Sequence, residues 1–303
     1  SINTIQDKDI TIEAQLCKGH DIRIIQLYFD SIEMNNVGIP YTDNNLVSVK
    51  YFVDNAEYNL SGTSAICVST STVLKLKFTE KAYLGLIGYY VNGEKLEFDD
   101  IQNYLTNYVV DDDAIIEVRI TRYVDVRSQA LSLADPAHSI DSEVLKGINT
   151  QITYKNIHNE NIITYTYLAT AENRYTLTRL ETTSDGTEVS SNVAENLPIS
   201  SVWNKVLSGS ILTLNTFTDL DYGFIRWDES KNQGSTQEIS TLAEFNHFTT
   251  YDKDPLDASE YMIIYSAIYQ SSSTVDIYKL LSSFNNMDEA LIKTDINSGN
   301  YIT

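Results

Sequence analysis

Apolar and polar residues alternate through the first third of the chain, which predicts β-strands. Ile10, Ile12, Ala14 and Leu16 alternate with Thr11, Glu13, Gln15 and Cys17, one face inward and one outward. Ile22 to Phe29 is more continuously apolar, the pattern of a strand covered on both faces. Val47 to Val53 alternates again and meets turn residues at Asp54 and Asn55, and Leu74, Leu76 and Phe78 alternate with Val73, Lys75 and Lys77. Tyr89 to Val91, then Asn92-Gly93, then Lys95 to Phe98 predicts a hairpin on the favoured Asn-Gly turn. A short helix is expected next, capped by Asp99 or Asp100, with Ile101, Tyr104, Leu105 and Tyr108 on one face. After Asp111 to Asp113 a long strand follows, with Ile116, Val118, Ile120 and Val124 inward and Glu117, Arg119 and Thr121 opposite.

From about Val126 to Gly147 the strand pattern weakens. Asp135-Pro136 signals a turn, and Asp141 to Lys146 predicts a helical turn ended by Gly147. The expected organisation is therefore a β domain over 1–126, a linker or elbow over 127–147, and a second β-rich domain over 148–303. In that second part, Asn161 to Ala169 and Arg174 to Glu181 predict a hairpin, followed by a turn at Ser184-Asp185-Gly186. Leu197 to Leu207 has a helical pattern, with Pro198 in its first turn and Gly209 past its end. Ile211 to Leu214 and Phe224 to Trp227 predict strands, and Thr241 to Glu244 has capping-box spacing for a short helix through Phe248. Tyr261 to Tyr269 predicts a strand apolar on both faces, turning at a Ser-Ser-Ser run into a return through Val275, Ile277 and Tyr278. Ile163 to Leu180 and Ile263 to Leu281 share a hairpin pattern, too loosely to mark a repeat protein. The fold class expected is mainly β, with antiparallel β-sandwich-like domains and a few short helices.

Composition strengthens this reading. Tyr (21), Ile, Thr and Val suit half-buried pleated surfaces, and the low Pro (4) and Gly (12) argue against a disordered or linker-rich chain. The net charge of −21 repels phosphates, so direct nucleic-acid binding is not expected. The nearest basic group, Arg119, Arg122 and Arg127, is diluted by Glu117 and Asp125. No apolar run approaches membrane-spanning length, and Ser1 to Ile5 lacks the basic and apolar regions of a signal peptide. A Ser at position 1 fits either removal of an initiator Met or cleavage of a longer leader. Cys17 and Cys67 are expected as two core thiols of a reducing compartment, a disulfide being the alternative for a secreted chain.

Candidate chemistry is sparse. His20, His138, His158 and His247 are scattered, with no close pair of the kind a zinc site uses. Asp219 with Asp221, and Asp252 with Asp254, place carboxylates on alternate residues and so on one face of a strand. Such oxygens suit Ca²⁺ or Mg²⁺, but Ser230 stands where an EF-hand-type loop started at Asp219 needs its last Glu. Asp254 before Pro255 also reads as a helix cap. Phosphate-binding loops and nucleophile elbows are absent, so no catalytic, cofactor-binding or metal-binding residue is assigned. A glycosidase needs only two carboxylates at the right separation, which sequence spacing does not reveal. Trp203, Trp227 and the tyrosines could form a sugar platform; their placement inside strand patterns favours a Tyr-rich core and subunit interfaces.

The segment Ile5 to Leu16, followed by short strands to about Val126, resembles the small N-terminal β domains of bacteriophage tail and baseplate proteins. The Tyr-, Asn-, Asp- and Ile-rich, cysteine-poor, acidic composition is similar to that of phage virion proteins. The resemblance implies a structural subunit of a virus particle, in a tail, collar, baseplate or capsid-decoration complex. Its partners would be other structural proteins and copies of itself, with no membrane insertion, in a virion assembled in the host cytoplasm. A carbohydrate- or receptor-binding module, with or without Ca²⁺, is the alternative, and a glycan-cleaving enzyme with a carboxylate pair stands behind it.

Overall fold

Strand follows strand throughout the computed structural model, which describes residues 19–34, 37–42, 47–60, 62–80, 83–100, 103–133, 135–139, 149–158, 161–170, 174–198, 203–217, 222–253, 259–276 and 293–297. Every regular element among them is a β-strand, so the protein is mainly β, built from several sheets. The chain divides into two compact units, Ser1–Leu27 with Pro40–Thr79 and Gly88–Arg119, and Tyr28–Ile39 with Glu80–Ile87 and Ile120–Thr303.

In the first unit the predicted strands form where alternation places them. Val47–Val53 pairs with Ala56–Leu60 across the Asp54-Asn55 turn, and Val73–Glu80 pairs with Leu105–Val109. His20–Tyr28 pairs antiparallel with Thr63–Val68. The hairpin that pairs Tyr89 to Val91 with Glu94–Leu96 turns on Asn92 (φ 50°) and Gly93 (φ 91°), the two positive φ values that a tight hairpin of this twist requires. Ile22, Ile24, Leu74, Leu76, Tyr89, Ile116 and Val118 are fully buried.

The helix expected over 99–108 does not form; Leu105–Val109 is a strand. Asp100 does cap, but it caps a tight turn: its carboxylate accepts from the Asn103 backbone (3.2 Å) and side chain (2.7 Å), and Tyr104 takes φ 47°. Pairing with Val73–Glu80 then overrides a helical spacing only two turns long.

The second unit is a sandwich of two sheets. One sheet has the strand order Glu188–Pro198, Arg174–Thr182, Asn161–Thr170, Asn149–His158, Ile211–Phe217, Glu244–Phe248, antiparallel throughout. The facing sheet contains Thr236–Ser240, Tyr222–Lys231, Met262–Asp276, the later part of Ala114–Ser132, and Asn204–Leu207. In that sheet Asp125 to Ser132 lies parallel to Met262 to Tyr269. A parallel pair needs a long crossover, and the chain between them builds the opposite sheet. One core joins the two: Ile152, Tyr167, Tyr175, Leu212 and Leu214 from the first sheet meet Val124, Val126, Val206, Trp227, Ile263, Tyr265, Ala267 and Tyr269 from the second.

Several sequence expectations are corrected here. The strand pattern does not break at Val126; Ala114–Ser132 runs on, and Asp135–Ser139 returns beside it. The helix expected over Leu197 to Leu207 is replaced by the ends of two strands, Glu188–Pro198 and Asn204–Leu207. Asn204 and Val206 both point inward there, a period of two set by pairing with Tyr123 to Val126. Ser240 caps a bend by accepting from the Leu242 backbone (3.0 Å), after which Glu244–Phe248 is a strand and not the expected helix. The Ser-Ser-Ser run does not turn but continues the strand Met262–Asp276. The expectations at Ile10 to Cys17, Asp141 to Lys146 and Ile277 to Leu281 lie outside the described residues.

Cys67 stands at an exposed position of Thr63–Val68 and is disulfide-bonded, which corrects the expectation of a buried reduced thiol. Cys17 lies outside the described residues. Alternation alone could not settle this, because the same spacing serves a core thiol and a surface half-cystine.

Two outcomes are expected from this packing. Trp227→Ala removes the largest fully buried side chain and lowers unfolding free energy by about 3–5 kcal/mol in urea titration. Denatured, unreduced protein takes up no thiol-specific label, and Cys67→Ser lowers stability by about 2–4 kcal/mol.

Candidate interaction surface

The six-stranded sheet has two different faces because its strands alternate in step. Ile152, Tyr154, Ile163, Tyr165, Tyr167, Tyr175 and Leu177 point to the core, and stacked rings run across them. Tyr154 stacks on Tyr165 (4.8 Å) and Tyr167 (5.7 Å), and Tyr167 stacks on Tyr175 (5.9 Å). The Tyr167 hydroxyl donates to that of Tyr154 (3.2 Å), and Tyr175 donates to the Asn204 side chain. Burial, reinforced by the neighbouring phenols, holds the Tyr167 hydroxyl far above its ordinary pKa, so these groups act as neutral hydrogen-bonding core members.

The opposite face carries the intervening residues. Across all six strands the register aligns Asn246, Thr213, Thr153, Thr166, Thr178 and Asn192 in one row. Beside it lie Glu244, Asn215, Gln151, Leu168 and Thr176 on one side, and Lys155, Thr164, Leu180 and Ser190 on the other, with Ile211 against Phe248 at the latter's end. A further row pairs Ile157, Ile162, Thr182 and Glu188. In a chain of net charge −21, Lys155 is the one charged residue of these rows on the four inner strands; Glu244, Glu188 and the bulged Glu195, which accepts from the Asn192 amide, lie on the two edge strands. Ile157 is 74% exposed, Ile211 49% and Phe248 47%. A cleft of ≈ 490 Å³ indents this face, lined in part by Glu33, Thr153, Lys155, Ile211, Thr213 and Asn246. The Thr213 hydroxyl donates to the Asn246 side-chain oxygen (2.8 Å) and Gln151 donates to the Thr153 hydroxyl (3.1 Å). The face is charge-poor, hydroxyl-lined and partly apolar, which is the composition of an interface core.

A polar cluster ties the two sheets together at one margin. The Glu229 carboxylate meets His247 Nε2 at 3.2 Å and Lys231 Nζ at 3.8 Å. Lys231 also reaches Asp252 (3.4 Å), which accepts a hydrogen bond from the Tyr261 hydroxyl. Burial works against ionisation of Asp252, but Tyr261 and Lys231 outweigh it and hold its carboxyl below the usual range. The sequence did not point to Glu229, Lys231, His247 and Asp252 as a group, since two strands and a loop bring them together.

The other sequence candidates separate. Among the described residues no three His, Cys, Asp or Glu side chains converge as a metal site. Asp219, Asp221 and Asp254 lie outside the described residues, as do the side chains of His138 and His158. His20 bonds the Thr70 hydroxyl (2.8 Å). Trp227 is fully buried, its indole N–H donating to the Ala243 carbonyl (3.2 Å), and is a core residue instead of a sugar platform. The Arg127 guanidinium covers a face of Trp203 at 4.5 Å. The three arginines form no patch: Arg119 pairs with Glu117 over the Tyr90 ring, and Arg122 is buried against Tyr251 and the Ser259 carbonyl.

The depressed Asp252 carboxyl gives a signed pH dependence. Its folded pKa lies below the unfolded value of about 3.9, so its contribution is complete above that value and is lost as pH falls through the folded one. The side chain is 56% exposed, which limits the contribution to under about 1 kcal/mol. Acid titration of thermal stability should show a shallower acid-side fall in Asp252→Asn than in the parent.

No protein-family model and no curated protein matches the chain. Among solved structures it is similar to the pilus adhesin SpaC from Lactobacillus rhamnosus GG, at 11% identity and a TM-score of 0.22, over 83% of this chain and 44% of that one. It is also similar to a C-terminal fragment of that adhesin, at 9% identity and a TM-score of 0.21, over 83% of this chain and 98% of the fragment. The chain thus spans under half of the whole adhesin, and scores this low carry no argument about what it does.

Proposed function

We propose that this protein is a non-catalytic structural subunit that works by docking its sheet surfaces onto neighbouring subunits, in a virus particle of the phage tail, collar, baseplate or decoration type. The observation that carries the docking part is the charge-poor Thr, Asn and Ile face of the six-stranded sheet in a chain otherwise dense in carboxylates. Desolvating such a face costs little, because hydroxyls and amides can exchange water for partners, and Lys155 is the one charge away from its edge strands, on a stem long enough to carry its ammonium to water. The disulfide at Cys67 favours a protein that serves outside the reducing cytosol, as a released particle component does. The placement in a phage particle rests on the resemblance of the N-terminal segment and the composition.

Quantitative mass spectrometry of purified particles tests this reading. The chain is expected as a multi-copy component that stays with particles through a density gradient. Its absence from purified particles would sink the proposal.

A further inference from the structure

We infer that the outer face of the six-stranded sheet binds the same face of a second copy of this chain, about a two-fold axis running parallel to the strands between Asn149–His158 and Asn161–Thr170. This rests on the docking reading above and names its partner.

Symmetry makes the case. The sheet has an even number of strands, and the gap between those two strands is its centre. An axis there lays Asn149–His158 of one copy over Asn161–Thr170 of the other, and Ile211–Phe217 over Arg174–Thr182. The rows then meet like with like: Thr153 over Thr166, Thr213 over Thr178 and Asn246 over Asn192. Apolar residues also meet, the exposed Ile157 over Ile162 and the exposed Ile211 over the half-buried Leu180. Lys155 falls over Thr164; Glu244 and Glu188 sit in different rows, and Glu244 meets the bulge that carries Glu195 only at the two outer edges of the contact, away from the axis. Such self-complementarity is what an isologous contact requires.

Charge and area agree with this occupant. A basic partner would find no carboxylate on the four inner strands of this face, and an acidic one would face the −21 field with only Lys155 to pair. A copy of this chain also carries −21, but it meets this face through a face that is neutral at its centre, and salt screens the remaining repulsion beyond about 8–10 Å. Strand and residue spacings make the face roughly 24 Å by 20 Å between outer Cα positions, or about 500–700 Å² with side-chain margins. Two such faces bury about 1,000–1,400 Å², enough for a specific interface. Aligned sheets pack with a relative rotation of about 30°, and side chains of this size interdigitate across such a gap.

Sedimentation velocity of the whole chain over a wide concentration range tests the inference. The parent is expected as a dimer. Thr166→Asp sets a carboxylate near the axis in each copy and is expected to weaken dimerisation at least about 100-fold. Thr166 faces outward, so thermal unfolding should confirm that this variant is folded, and Thr178→Asp provides a second probe in the same row. Mixing Thr166→Asp with Thr166→Lys should restore a dimer of the two variants. A parent that stays monomeric, or charged variants that dimerise as the parent does, would overturn the inference. A monomeric parent that is nonetheless found in purified particles removes self-pairing alone, whereas a dimer absent from particles removes the particle reading and keeps this contact.

Discussion

The packing of Ile152, Tyr167, Tyr175, Leu212 and Leu214 against Trp227, Ile263 and Tyr265 fixes the register of six strands at once. Side chains alternate with a period of two, so a slip of one residue would carry every buried ring to solvent and every threonine into the core. Burying each of these large side chains is worth roughly 1.5–3 kcal/mol, and a slipped strand forfeits several of them together. The alignment of threonines on the outer face is therefore a consequence of the core on the inner one. The outer row needs no stabilising force of its own.

A core this rich in tyrosine has a second requirement. Each buried hydroxyl needs a partner, because an unmade hydrogen bond costs about 1–3 kcal/mol. Tyr175 meets Asn204, Tyr167 meets Tyr154, Tyr269 meets Thr216 and Tyr261 meets Asp252. Burial lifts the Tyr269 phenol to about 12, against the opposing hydrogen bond from Thr216, so it stays neutral across the physiological range. Ser208 is fully buried at the junction of several segments; its backbone N–H donates to the Arg122 carbonyl, its hydroxyl to the Asp30 carbonyl, and its oxygen accepts from the Tyr251 N–H. The Tyr265 hydroxyl has no hydrogen-bond partner among the described residues. These directional contacts specify which strand lies where, a task that non-directional apolar burial performs poorly.

Strands with long alternation were legible in advance. Val47–Val53 begins and ends where its pattern does, and the Asn92-Gly93 hairpin follows from two residues that tolerate positive φ. The short helical patterns misled for a shared reason. At 99–108, 197–207 and 241–248 a capping residue and a few spaced apolar positions were present, yet strands or turns formed. Helix nucleation is costly, so a segment of two or three turns yields to a neighbouring strand that offers ladder hydrogen bonds and a place in the core. The Thr-x-Thr spacings at 164–166 and 176–178 were visible signals of the outer face. Their meaning was not, because a row across a sheet depends on strand order.

The amino-acid sequence by itself determined that this is an acidic, β-rich chain without zinc-site spacing or a nucleotide-binding loop. Those properties follow from composition and from periods of two, which are local. Only the tertiary structure decided that Trp227 is core, that Cys67 is oxidised, and that Glu229, Lys231, His247 and Asp252 converge. It also decided that six threonines and asparagines from six strands form one row. Each of these depends on pairing between segments far apart in sequence, and that pairing is set by the shared core rather than by any one strand.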